Sequence, residues 1–354
     1  MNQFSLTKGD TAVLKGVAIC AMLLHHLYGC PPDGVLPYSG LLGWLGGLGK
    51  VCVALFLFCS GYGLSAQYKA DRSLKDSICF ILRRLIKFYT NYWVVFVIFV
   101  PITYFVFGRT LIDAYSDHVN IPKRFIYDIF AVQGPPYNVT WWFNKLIIVL
   151  YILFPILYKT TRFNSWLTLL ISLALMRLSC RIQLPYDNVE ICTWQFPFIL
   201  GIVWRQSEQK FDTLSEWMKT HSITSAFIAL TLLCVTVVVR MYPIIPHWND
   251  VRIDGFVSCS IALCVITILR FLPKTMELLA FLGKHSMNIY MTHTFINGYW
   301  HPEWLHTGDL MRNGGSFIVL MVLCIIISIC LEYLKEKCRI YKLSNKICNR
   351  LKPI

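Results

Sequence analysis

The chain has 354 residues, of which 56% are hydrophobic, 15% aromatic and only 15% charged, with a formal net charge of +14. That balance excludes a soluble globule and indicates a polytopic membrane protein. The positive excess does not indicate nucleic acid, because the Lys and Arg sit in short segments between apolar runs, where they orient spans. About ten such runs follow one another, near residues 12–29, 49–68, 86–107, 141–159, 165–180, 190–205, 222–240, 255–272, 278–299 and 316–334. Each is close to the length a helix needs to cross a bilayer. The expected fold class is therefore all-α, a polytopic integral membrane helix bundle of about ten transmembrane helices. The longest connection, 108–140, leaves no room for a separate soluble domain.

The first run carries the most informative pair. Lys15 and His26 are eleven residues apart. At 3.6 residues per turn they share nearly one helix face, roughly 16 Å apart along the axis, and His25 points about 100° away from it. An ionisable residue inside a span suggests function, because hydrocarbon penalises it. The run has no small-residue cleavage site and reads as a retained span rather than a signal peptide. If the N-terminus is inside, most of the 33 Lys and Arg fall on inside segments, which places both termini in the cytoplasm and makes the number of spans even.

Gly40, Gly43, Gly46, Gly47 and Gly49 precede the second run. No strand leads into them, so a nucleotide loop is not expected; they read as a flexible outer loop with close helix contacts. Ser60, Gly61, Tyr62 and Gly63 lie near the other end of that run, where small residues let helices approach. Arg83, Arg84 and Lys87 open the third run, and the last two of these share a face. Trp141 and Trp142 begin the fourth at an interface, as aromatic belt residues do. Tyr290 and His293, three apart with Asn288 nearby, face the same way along the ninth. Asp254, at the outer end of the eighth, is a candidate to orient His26. His247, His301 and His306 with Asp250, Glu303 and Asp309 match no metal-ligand spacing and read as solvated loops. Most of the 14 Cys lie in apolar runs as small hydrophobes, with no CxxC pair for zinc. The last span is expected to continue through Lys335 and Lys337 as a basic, partly amphipathic helix that anionic lipid would anchor.

Taken in order, Lys15-Gly16-Val17-Ala18 with His26, Val53 to Tyr62, Arg84-Leu85-Ile86-Lys87, Trp141-Trp142-Phe143 and Leu282 to His293 resemble the membrane acyltransferase 3 family. The resemblance covers nearly the whole chain, as a membrane domain over 1–340 and a basic cytoplasmic tail over 341–354. It implies a multi-pass protein of the plasma or inner membrane that moves acyl groups, commonly acetyl, from cytoplasmic acyl-CoA to acceptors at the outer face. The implied partners are membrane lipid, acyl-CoA and an envelope polysaccharide or glycolipid, with no nucleic acid and no metal. His26 is the implied catalytic residue, as general base on the acceptor hydroxyl or as carrier of the acyl group, since imidazole titrates near neutrality. Lys15, Arg84 and Lys87 are the implied clamp on the phosphates of CoA. Ser60, Tyr62, Trp142, Tyr290 and His293 are the candidate lining of the substrate channel, and a stacking platform for a sugar ring is the alternative to the belt reading of Trp141 and Trp142. Lys15 and Lys87 stand where the family pattern carries Arg, which keeps charge and loses the guanidinium fork. The fused esterase-like domain of some members is absent from this sequence. A transporter is the rival reading, because polar groups inside a bundle also serve a permeation path.

Overall fold

The structure, a computed structural model, describes residues 4–31, 38–69, 73–115, 119–132, 137–179, 186–242, 252–300, 302–306 and 314–351. In chain order the helices are α1 (Lys8–Leu24), α2 (Leu41–Leu48), α3 (Cys52–Ser65), α4 (Leu74–Phe105), α5 (Leu111–Ala114), α6 (Ile121–Ile129), α7 (Trp142–Phe163), α8 (Ser165–Leu178), α9 (Tyr186–Ser207), α10 (Asp212–Thr220), α11 (Ser222–Met241), α12 (Asp254–Thr267), α13 (Pro273–Lys284), α14 (Ser286–Thr294), α15 (Gly315–Lys337) and α16 (Ile340–Arg350). Two π-turns interrupt this pattern, His25–Gly29 after α1 and Phe295–Tyr299 after α14. Among the described residues there is no strand.

The fold class is an all-α membrane bundle. Seven helical stretches among the described residues are long and apolar enough to cross a bilayer, from Lys8–Gly29 to Gly315–Lys337. The other three runs are helical but shorter, more polar or broken. α8 is apolar but has 14 residues. The 22-residue α9 contains Asp187, Glu190 and Gln195. The run over 278–299 divides between α13 and α14. At 32 residues α4 is about 48 Å long, more than a hydrocarbon core is thick, so it carries polar residues past an apolar one.

One sequence expectation is corrected. The glycine-rich stretch is no flexible loop: α2 and the short 3₁₀ turn Gly49–Val51 run straight into α3. Within or beside a bilayer the backbone must satisfy itself, and that requirement overrides glycine's poor helix propensity. The last span continues through Lys335 and Lys337 as expected, in α15. Arg339 adopts a left-handed φ of 55° after α15, and the amphipathic α16 starts afresh.

The described residues divide into two units. One comprises Met1–Met22, Lys50–Ala70 and Leu153–Lys284. It is held by glycine-mediated helix crossings. A methyl group at Gly61 would overlap the carbonyl of Phe198, one at Gly201 that of Phe58, one at Gly16 that of Leu279 and one at Gly283 that of Ala12. Close backbone approach of this kind is how membrane helices associate without a hydrophobic driving force. Its buried charges are paired: Arg240 Nε donates to Asp254 Oδ1 at 2.5 Å, and Arg270 reaches Asp10 at 3.0 Å.

The other unit comprises Leu23–Gly49, Asp71–Ile152 and His285–Ile354. Its core is aromatic, with Trp141 edge-on to Tyr92 at 5.1 Å and Phe295 5.7 Å from Trp141. Trp300 stacks on Phe99 and Phe107 and donates to Thr103 at 2.9 Å. At Gly29 and Gly46 the first π-turn and α2 meet backbone to backbone, with no room for a side chain at either position. This crossing holds the histidine pair at the head of the π-turn.

Candidate active site

The α-helix that the Lys15–His26 spacing assumes ends at Leu24. His25 opens the π-turn, whose wider ladder is closed by the Cys30 amide donating to the His25 carbonyl at 2.7 Å. Single π-turns of this sort re-aim side chains at functional sites. The two adjacent histidines diverge. His25 donates from Nδ1 to the Gly46 carbonyl at 2.9 Å, which ties it to α2. His26 turns its ring toward His293, with ring centroids 4.9 Å apart and planes at 42°.

His293 is fully buried, and its surroundings fix its hydrogens. Its Nδ1 lies 2.8 Å from the Tyr290 carbonyl, which can only accept, so Nδ1 carries the hydrogen and Nε2 is the acceptor of the neutral ring. Nε2 sits 3.3 Å from Thr294 Oγ1, which lies 2.8 Å from Thr140 Oγ1. Thr140 gives its own hydroxyl hydrogen to Asn138 Oδ1 at 2.8 Å, an oxygen identified as such because it also accepts the Thr140 amide at 3.0 Å. The hydrogen between the two threonines therefore comes from Thr294.

The second π-turn completes the site. Asn297, 2% exposed, donates Nδ2 to the His26 carbonyl at 3.0 Å, satisfying a group that the first π-turn displaces from its ladder. Its Oδ1 makes no hydrogen bond with the described residues, and neither does Asn138 Nδ2. Buried polar atoms left this way are rare in native proteins and mark places where another group docks. The arrangement is an imidazole pair, one ring fully buried and the other half-buried, with Asn297 on the His26 carbonyl and Asn138 related to His293 through Thr140 and Thr294.

The remaining sequence candidates distribute as follows. Tyr290 stands beside the pair, 6.5 Å from His293 between ring centroids, and its hydroxyl donates to the Thr140 carbonyl at 2.8 Å. Trp142 reaches Tyr290 through Phe143, with centroid separations of 6.1 and 5.6 Å. Arg84 and Lys87 lie in the first half of α4, Arg84 half-buried with its guanidinium 5.2 Å from the Phe80 ring and Lys87 exposed. Arg83 is tied instead to the Leu351 carbonyl at 3.0 Å. In the other unit, Lys15 is half-buried on α1, and Ser60 donates to Phe56 of its own helix at 2.8 Å. Tyr62 is a brace: its hydroxyl donates to Glu208 at 2.6 Å and accepts the Leu6 amide at 2.8 Å. Asp254, expected to orient His26, has its carboxylate held by Arg240. His247, Asp250, His301 and Asp309 lie outside the described residues. His306 Nε2 meets the Asn297 carbonyl at 3.2 Å.

Sequence reasoning missed three features. Asn297 and Asn144 are buried asparagines inside apolar runs, and Asn144 is fully buried with neither amide atom bonded to a described residue. A polar residue in an otherwise apolar run was the available signal. Lys335, counted from sequence as one more anchoring cation, is wholly buried. Its ammonium donates to Asn91 and Asn288 at 2.7 Å each and to Glu332 at 2.9 Å, and Tyr341 donates to the same carboxylate at 2.6 Å. Asn91 also donates to the Lys87 carbonyl at 2.9 Å, so this network pins the helix that carries Arg84 and Lys87.

No curated protein and no solved structure matches the chain. A family model described as an acyltransferase domain matches residues 12–333, a stretch that takes in Lys15, the imidazole pair, Arg84 and Lys87. With nearly the whole of an all-helical membrane bundle covered, the chain belongs to the acyltransferase 3 family and is a membrane acyltransferase.

Proposed function

We propose that this acyltransferase moves an acyl group, most simply acetyl, from cytoplasmic acyl-CoA to a hydroxyl of an envelope carbohydrate or glycolipid. The observation that carries this reading is the His26–His293 contact beside the unbonded amide atoms of Asn297 and Asn138. A base with an adjacent acceptor and donor suits a hydroxyl nucleophile and an acyl oxygen. In this scheme His26 takes the hydroxyl proton as the oxygen attacks the thioester carbonyl. The carbon–sulfur bond then breaks, and the CoA thiolate leaves with the proton from the imidazolium. In the same scheme the buried Asn138 Nδ2 donates to the oxyanion. Arg84 and Lys87 of α4 hold CoA phosphates in this scheme, and Lys15 is the further cation that the family pattern suggests for that role. Acyl-CoA is made inside and the acceptor is outside, so the bundle has to join the two compartments.

The test is transfer of radiolabelled acetyl from acetyl-CoA in inverted vesicles that contain the protein, together with mass spectrometry of envelope glycans from cells with and without it. Label appearing in glycan supports the proposal. Failure of the purified protein to bind or turn over acyl-CoA would leave transport as the reading. A C-terminal reporter that reads as external would place the basic residues of α4 on the wrong side for CoA.

A further inference from the structure

We propose that the groove between α4 and α16 binds one anionic phospholipid, with an acyl chain along α4 and the phosphate on the cations of α16. This site goes beyond the proposed transfer reaction and does not depend on it. The groove has a volume of about 680 Å³ and lies wholly within the unit that contains both helices. Leu82, Ile86, Trp93 and Val97 form one wall, and Leu343 and Ile347 form the other. α16 is tied to α4 at two points: the hydroxyls of Thr90 and Ser344 meet at 3.1 Å, and Arg83 donates to the Leu351 carbonyl at 3.0 Å.

The polar atoms of the α4 wall are already mated. Tyr89 donates to the Phe130 carbonyl at 2.8 Å, the Trp93 indole to the Ile129 carbonyl at 2.8 Å and Thr90 to the Ile86 carbonyl at 2.7 Å. The groove therefore offers an occupant little beyond apolar contact, which suits a hydrocarbon chain and not a sugar or a nucleotide. From Leu82 to Ile98 it follows about 24 Å of helix, more than one leaflet of a hydrocarbon core roughly 30 Å thick, so a whole acyl chain can lie along it.

The charge pattern selects the head of the occupant. α16 carries Lys342, Lys346 and Arg350 and no acidic residue, and all three cations are exposed. Three residues on from Leu343 and Ile347 respectively, Lys346 and Arg350 border the groove edge of the helix. The acid nearest in space to this end of α15, Glu332, is taken by Lys335 and Tyr341. A second copy docked on this face by two-fold symmetry would set the cations of α16 against themselves, which disfavours a dimer contact. A chain that enters the groove leaves other hydrocarbon behind, so burial gives little net gain and discrimination has to come from the phosphate.

The experiment uses the full chain purified in detergent, with phosphatidylglycerol and phosphatidylcholine of identical acyl chains as probes. Native mass spectrometry should show one phosphatidylglycerol per chain, held on the order of tenfold more tightly than phosphatidylcholine. Lys346→Gln combined with Arg350→Gln should abolish that preference. Ile347→Trp, which fills the groove from a partly exposed position, should lower retention of both lipids. A diazirine on the phosphatidylglycerol acyl chain should label wild-type peptides within 82–98 and 340–350. Equal retention of the two lipids by the wild type, or a preference that survives the double variant, overturns the proposal. So does a label confined to other helices, a result that needs no variant to fold. A lipid-free dimer with these peptides protected at its contact assigns the groove to a second copy and overturns the proposal too. None of these readouts uses acyl-CoA, so the lipid site and the transfer reaction are decided separately.

Discussion

Asp128, in the connection between the third and fourth long helices, gives the sharpest prediction. It is 2% exposed, and one carboxyl oxygen accepts both the Tyr115 hydroxyl at 2.5 Å and the Tyr137 amide. Burial outweighs those two donors and raises its pKa from 3.8 to about 7. Between these values the folded segment holds a proton that the unfolded one releases. Stability therefore falls as pH rises through the window, and the stabilisation by that proton is gone above pH 7. Integrated over the window the change is on the order of 4 kcal/mol. Asp128→Asn keeps a carbonyl oxygen for Tyr115 and Tyr137 and cannot ionise, so it should behave at every pH as the protonated wild type does. The assay is hydrogen exchange of peptides covering 109–115 and 121–132 at pH 5 and pH 8, corrected for intrinsic rates, because local opening reports this segment and not the whole bundle. Wild-type protection should drop at pH 8 and the variant's should not. Equal protection of the wild type at both pH values, or a variant that keeps the wild-type slope, refutes the reasoning.

The two adjacent histidines should separate in the transfer assay. His26→Ala should abolish transfer, a loss of about a hundred- to ten-thousandfold, with acyl-CoA binding intact. His25→Ala forfeits one hydrogen bond to Gly46, worth about 1 kcal/mol, and should keep substantial activity at matched membrane levels. Neutralising Arg84 and Lys87 together should weaken acyl-CoA binding on the order of a hundredfold, at roughly 1.5–3 kcal/mol per charge-assisted contact, as read by titration of the purified double variant. Gly283→Ala should destabilise the unit containing α1 and α13, because its methyl would meet the Ala12 carbonyl; the thermal midpoint in detergent checks this, with Gly47→Ala, where a methyl meets open space, as the control.

Composition and run length were enough to give the class of fold, since a bilayer forces helices of a certain length and apolarity. The order of the short motifs was enough for the family, and the family marked His26. The helical state of the stretch from Leu41 to Leu48 was hidden, because propensity in water does not describe a backbone that has to bond itself. The π-turn at His25 was hidden as well: it depends on the Gly29 and Gly46 backbones meeting and on Asn297 capping a displaced carbonyl, and neither is a local property.

What the sequence by itself determined is therefore what local composition and motif order encode, namely an all-helical membrane bundle, where the basic clusters fall along the chain, and the family it belongs to. Only the tertiary structure decided that His293, far along the chain, faces His26, and that Asn138, Thr140 and Thr294 direct hydrogens along one line behind it. It also decided that Lys335 is a buried hub for three polar side chains and no lipid anchor, while Tyr62 is a brace on Glu208. The physical reason is the same in each case. A side chain's chemistry depends on the groups that share its low-dielectric surroundings, and those groups arrive from helices distant in sequence.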